Sequence, residues 1–250
     1  MKYNNILLTG SSGNLGQVIV KSKIFKGILT PSRKEFGMTD FEQVDNYLQN
    51  NKIDAIIHCA ALARMKECEQ NPKAAIESNI IGTCNVTRAA AAKEITSGKS
   101  IRFIYISTDG VYAGTKGNYS EKDDAIPYNK YGWSKLGAEN IVKMLNNFCI
   151  IRTSFFDPNN IKFDDAATDM YSSKMPVQEL VKAIKFILEN GFVGTINIGE
   201  EKKPDYERCK KFKPSIKSVK FTDILKKDNI PLAKDASMDC SLWEKIKNGK

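Results

Sequence analysis

The chain has a single histidine, His58, in 250 residues, and its six cysteines (Cys59, Cys68, Cys84, Cys149, Cys209, Cys240) include no C-x-x-C pair. A histidine metal centre or a Ser-His-Asp triad has little material here. A cysteine zinc site and a disulfide framework are not expected either, so no metal is. Long apolar runs are missing too: the longest candidate, Ile56–Ala63, is far short of the ~18–20 residues of a membrane span. No signal-peptide pattern precedes the strand-like run at Ile6. The expectation is a cytoplasmic protein with reduced thiols and no membrane partner, in which the Asn-x-Ser/Thr triplets at Asn85 and Asn118 are chance matches. Internal repeats and low-complexity segments are absent.

What remains is ordinary for a globular protein: 42% hydrophobic and 27% charged residues, in a chain long enough to bury a sizeable core. The formal net charge is +9, and residues 201–250 hold 14 Lys/Arg against 8 Asp/Glu. Clustered lysines attract phosphate, but aromatic stacking residues are sparse among them. The favoured reading is a solvated lysine-rich surface or a preference for anionic small molecules, and a nucleic-acid partner is not expected.

The chain repeats strand then helix. Strands are expected at Ile6–Leu8, Gly27–Thr30, Asp54–Cys59, Ile101–Ser107, Cys149–Arg152 and Gly194–Ile198, with a further short one near Phe36–Met38. Helices are expected from Leu15 to about Lys23, from a Thr39–Glu42 capping box to Leu48, and at Pro72–Lys93, Tyr128–Asn146 and Val177–Glu189. This alternation predicts an α/β fold, a Rossmann-like doubly wound parallel sheet with a small C-terminal substrate-side region. The division expected is 1–155 for the dinucleotide-binding part and 156–250 for the smaller region, interleaved with the last Rossmann helix (176–190) and strand (194–198).

Two motifs carry chemistry. Thr9-Gly-Ser-Ser-Gly-Asn-Leu-Gly16 lies between a strand and a helix. Gly10 would allow the tight turn, Gly13 the approach of a pyrophosphate, and Gly16 close helix packing. Asn14 and Leu15 open the helix whose N–H groups would face phosphate. The end of the second strand lacks the acidic residue that would favour NAD. It carries Thr30-Pro-Ser32-Arg33-Lys34, and a hydroxyl plus a guanidinium at Ser32 and Arg33 suits the 2′-phosphate of NADP, with NAD the alternative. In the second motif, Tyr131-Gly-Trp-Ser-Lys135, a phenol and an ammonium stand four apart on one helical face. The ammonium is expected to bring the phenol's pKa down towards neutrality, for proton transfer to a carbonyl as hydride arrives at carbon.

The G-x-x-G-x-x-G spacing and the Tyr-x-x-x-Lys unit resemble the extended branch of the short-chain dehydrogenase/reductase family. Ser107-Thr-Asp-Gly-Val-Tyr112, Ser120-Glu121, Arg152-Thr-Ser154 and Lys234–Ser241 are most similar to its dTDP-4-dehydrorhamnose reductase group. The resemblance implies that Thr108, rather than Ser107, holds the substrate oxygen, with Tyr131 as proton donor. It further implies that Lys135 tunes Tyr131 and binds the nicotinamide ribose, and that Ala60 and Ala61 lie beside the cofactor. Asn79-Ile-Ile-Gly-Thr83 matches a helix segment of the family, which leaves His58 as a strand residue. Gly110 stands where the family's 4,6-dehydratases carry a Glu, so simple carbonyl reduction is expected. The stretch between Thr153-Ser-Phe155 and Ser172-Ser-Lys-Met-Pro176 is shorter than the family's and lacks a pocket helix, and Leu232 replaces an Arg near the substrate diphosphate. The implied activity is NADP-dependent reduction of a 4-keto-6-deoxy nucleotide sugar, with basic tail residues facing the diphosphate and a homodimer as the assembly to test. A nucleotide-sugar epimerase and a non-catalytic NADP-binding regulatory subunit stand as alternatives.

Overall fold

A computed structural model describes residues 3–249. Six parallel strands form the central sheet: β1 (Ile6–Thr9), β2 (Ile28–Leu29), β3 (Ala55–His58), β4 (Arg102–Ile106), β5 (Phe148–Thr153) and a last strand, Gly194–Ile198. Their spatial order is the last strand, β5, β4, β3, β1, β2, so the order in which strands are added reverses between β1 and β3. The strands are short and rich in Ile, Leu and Phe because side chains of both parities are buried. Ile6, Leu8, Ile57, Ile104 and Ile151 face one core, while Leu7, Ile56, Phe103, Tyr105 and Ile150 face the other.

Helices cover both faces. On the first lie α1 (Asn14–Ser22), α7 (Val177–Asn190) and α10 (Ser241–Lys247), contributing Leu15 and Ile19, Leu180 to Leu188, and Trp243. On the second lie α2 (Phe41–Asn50), α5 (Gly82–Ser97) and α6 (Lys130–Val142), contributing Val44 and Leu48, Val86 to Ala90, and Ala138 and Val142. Two short helices, α3 (Met65–Gln70) and α4 (Pro72–Ala75), precede a π-helical segment, Ile76–Ile81, that runs straight into α5.

Two expectations need correction. Residues 36–38 form no strand. Phe36 is a buried anchor whose N–H closes a turn onto the Ser32 carbonyl, and the Gly37 N–H is taken by the Gln43 side chain. The cap of α2 sits one residue later than expected: Asp40, not Thr39, accepts the Gln43 N–H, and the Gln43 amide donates back to the Asp40 carboxylate. Between Ser154 and Pro176 there is no helix, only turns and two- or three-residue strands. These pair with the tail: Asp165–Ala167 with Lys217–Val219, and Tyr171–Ser172 with Lys203–Pro204. The tail adds α8 (Asp205–Lys210) and α9 (Phe221–Asp228). Some of its lysines form surface ion pairs: Lys202 with Asp235, Lys213 with Asp164 and Lys227 with Asp165.

Candidate active site

Register brings the key residues to one edge. Thr9, His58 and Tyr105 are neighbours across β1, β3 and β4, so the turns that follow these strands open at the same, carboxyl end of the sheet. Ligands of open α/β sheets bind there, at the point where strand order reverses.

The glycine loop is drawn tight. Gly10 has φ +72, and a Cβ on it would stand 2.7 Å from the Ala60 backbone. A Cβ on Gly16 would lie 2.1 Å from the Gly10 carbonyl oxygen. Only glycines let α1 start this close to β1 and to the turn at Ala60 and Ala61. Gly13 caps α1 with no side-chain partner, leaving the first-turn N–H groups of Asn14, Leu15 and Gly16 free for an anion. Ser32 and Arg33 are exposed in the turn after β2. Arg33 makes no hydrogen bond or ion pair among the described residues, whereas the Ser32 N–H donates to the Glu35 carboxylate at 2.8 Å. Glu35, which sequence reasoning passed over, thus already holds part of the expected 2′-phosphate cradle, and Ser32 lowers its pKa in return.

Thr108 lies two residues beyond the end of β4 and is buried. Its Oγ1 accepts the Gly110 N–H at 3.0 Å, capping a short 3₁₀ turn, and donates to the Asp109 carboxylate at 3.1 Å. The same hydroxyl faces the Tyr131 phenol. α6 brings in Tyr131 and Lys135, its first turn capped by Asn129 through the Gly132 N–H at 2.8 Å. Gly132 is required there, because a Cβ would come within 2.1 Å of the Gly110 carbonyl. Lys135 Nζ donates to the Ile106 carbonyl at 2.8 Å and lies 4.1 Å from the centre of the Tyr105 ring. Burial pushes its pKa down to about 7, against the opposing pull of Glu139 and Cys59.

The expected lowering of the Tyr131 pKa is not what its surroundings produce. Burial and the Asp109 charge raise it, and only the Thr108 hydroxyl pulls it down. Asp109 is itself raised, to about 6, by burial; Lys174, Thr108 and Ser154 work against that rise. Asp109 and Lys174 had no distinguishing signal in the sequence. Lys174, held by Asp205 at 2.5 Å, comes from the shortened stretch, so its place depends wholly on tertiary packing.

Behind the site, Glu139 accepts from Ser107 at 2.5 Å and forms a two-oxygen ion pair with Arg152, which donates on to the Tyr112 hydroxyl at 3.0 Å. The Ser107 hydroxyl is thereby tied into the core. In the π-helical segment, Asn79 bonds both the N–H and the carbonyl of Leu62 and donates to the Ser134 hydroxyl at 2.8 Å, fixing the turn after β3 against α6. His58 is fully buried, bridges the Thr9 and Thr83 hydroxyls at 2.7 and 2.9 Å, and is pushed down to about 3 by burial and by Lys135. It is a strand residue, as expected. A groove of about 1050 Å³ between α7 and α10 shares none of these residues, and its charges pair locally, Lys182 with Glu179 and Lys247 with Glu244.

Comparison with known proteins places the fold and the family. A dTDP-4-dehydrorhamnose reductase from Bacillus anthracis, solved in complex with NADP, superposes with a TM-score of 0.85 at 25% identity, covering 100% of this chain and 94% of that one. Among curated proteins, a probable low-salt glycan biosynthesis reductase of Haloferax volcanii is 33% identical over 59% of this chain and 52% of its own length. The methionine adenosyltransferase 2 subunit beta of Mus musculus is 32% identical over 55% of this chain and 42% of its own. The chain thus spans about half the length of the curated relatives it matches. The RmlD substrate binding domain model matches residues 4–171, more than half of the sequence, and the chain belongs to that family.

Proposed function

We propose that this chain is an NADP-dependent reductase acting on the keto group of a nucleotide-linked 4-keto-6-deoxy sugar. One observation carries the reading: the Thr108 hydroxyl faces the Tyr131 phenol, with Lys135 one turn further on, at the sheet edge where the glycine loop also opens. The Gly10–Gly16 loop fits a dinucleotide, because Gly10 and Gly16 let α1 start tight against β1 and the Ala60 turn, and no side chain caps its first-turn N–H groups. Gly13, Asn14 and Leu15 would hold the pyrophosphate, Arg33 with Ser32 the 2′-phosphate, and Ala60 and Ala61 would line the cofactor's flank. A reduced nicotinamide supplies hydride. Thr108 orients the substrate carbonyl, Tyr131 donates the proton to its oxygen, and Lys135 holds the nicotinamide ribose and steadies the phenolate left behind. The relative solved with NADP and those named as reductases support this reading.

The test is NADPH oxidation with a panel of keto nucleotide sugars. Wild type should turn over at least one, and Tyr131→Phe should lower kcat by roughly 10²–10⁴ while NADPH still binds. Near-wild-type activity in that variant would remove the assignment. A second reading, a dinucleotide-binding regulatory subunit, is favoured by the helix-free stretch between Ser154 and Pro176. It predicts NADPH binding with no turnover of any panel member.

A further inference from the structure

The ring beneath the site lysine has no role in the reading above. Tyr105 is fully buried in β4; its hydroxyl sits beside Thr83 but meets no partner at full hydrogen-bond geometry among the described residues, so what the side chain offers Lys135 is its ring. Its face carries Lys135 Nζ, 4.1 Å from the ring centre. The ammonium spends one of its three protons on the Ile106 carbonyl, and the π-face occupies another side. On its other neighbour the ring stacks on His58, with centres 5.6 Å apart and planes 25° apart. His58 cannot swing away, because Thr9 and Thr83 hold its two nitrogens. Thr9 also accepts the Ala60 N–H at 3.3 Å, so a buried strut runs from the glycine loop through His58 and Tyr105 to Lys135.

We infer that Tyr105 is a positioning residue: its ring seats the Lys135 ammonium and keeps it charged and aimed in register with the cofactor loop. The groups facing that ammonium are Glu139 from its own helix, Cys59 and His58 from β3 and its turn, and Tyr105 from β4. Glu139 is already engaged by Arg152 and Ser107, and His58 stays neutral, which leaves the ring face as the uncommitted support for the cation. The inference rests on the reductase reading only for what Lys135 does in turnover.

The experiment compares Tyr105→Leu, Tyr105→Met and Tyr105→Phe by NMR of ¹³Cε-lysine-labelled protein, with Lys135→Met assigning the resonance. The Leu and Met variants should titrate Lys135 with a midpoint lower by about 0.5–1.5 in pH, and Phe, which keeps the face, should restore it. In NADPH oxidation, the alkaline limb of the Leu and Met variants should move to lower pH by the same interval, with kcat near pH 8 down several-fold. Met preserves bulk in case Leu fails to fold. A Lys135 midpoint unchanged in the Met variant, or lowered equally in Phe, overturns the inference. Absence of turnover in wild type would overturn the reductase reading instead, and the titration would still decide the role of the ring.

Discussion

His58 and Asp109 pull acid stability in opposite directions. Unfolded, His58 takes a proton near pH 6.5; folded, it resists until about pH 3. The unfolded state binds more protons across that window, so this contribution, present above pH 6.5, is lost as pH falls towards 3. Asp109, raised to about 6, contributes stability below its ordinary value of 3.8 that is lost as pH rises through 6. A His58→Gln variant should be less stable at pH 7 yet show a flatter decline between pH 6.5 and 4, read as urea midpoints. Glu139→Ala should cost about 3–5 kcal/mol in chemical denaturation, since it strands the buried Arg152 guanidinium. At this scale the sequence was legible where spacing is chemistry, as for Tyr131 and Lys135. It was silent on what surrounds them: the direction of the Tyr131 pKa depends on Asp109 and on burial, and Ser32 turned out to be shared with Glu35.

Elements with strong local signals were readable. The β-branched run of β4 and the helical period of α7 came within a residue or two of their observed bounds. Elements without such signals were not. α3 is preceded by Arg64, which gives no side-chain cap, and the π-helical segment has no period of its own; within it Asn79 is locked to Leu62 and Ser134. π segments of this kind recur at functional sites. The cap of α2 is a direct test of the corrected boundary: Asp40→Ala should cost about 1 kcal/mol in thermal or urea unfolding, and Thr39→Ala much less. At α1, Gly16→Ala drives a methyl group into the Gly10 carbonyl and must push the helix start outward. NADPH affinity, followed by nicotinamide fluorescence, should fall sharply even where the variant stays folded.

For the molecule as a whole, the doubly wound plan was legible because both parities of most of its strands are apolar. The C-terminal region was not, because its two- and three-residue strands are specified by partners about 30 or 50 residues away. That region nonetheless reaches the main core. Trp243 of α10 packs edge-on against Phe186 of α7, ring centres 5.6 Å apart, within the cluster that also buries Ile196 and Ile198. Trp243→Ala should lower unfolding stability by about 3–5 kcal/mol.

The same region settles what becomes of the sheet's two margins. One ends in a strand of only two residues, β2. Along the other, the Asn197 N–H donates to Glu121, and the Asn197 side chain grips the carbonyls of Tyr119 and Asp239. A bare strand with free amides is a template onto which another polypeptide can lengthen the sheet, the first step of fibrous association. Here one margin is only two residues long, and on the other the Asn197 amide is already taken, so neither offers a long bare edge at those points.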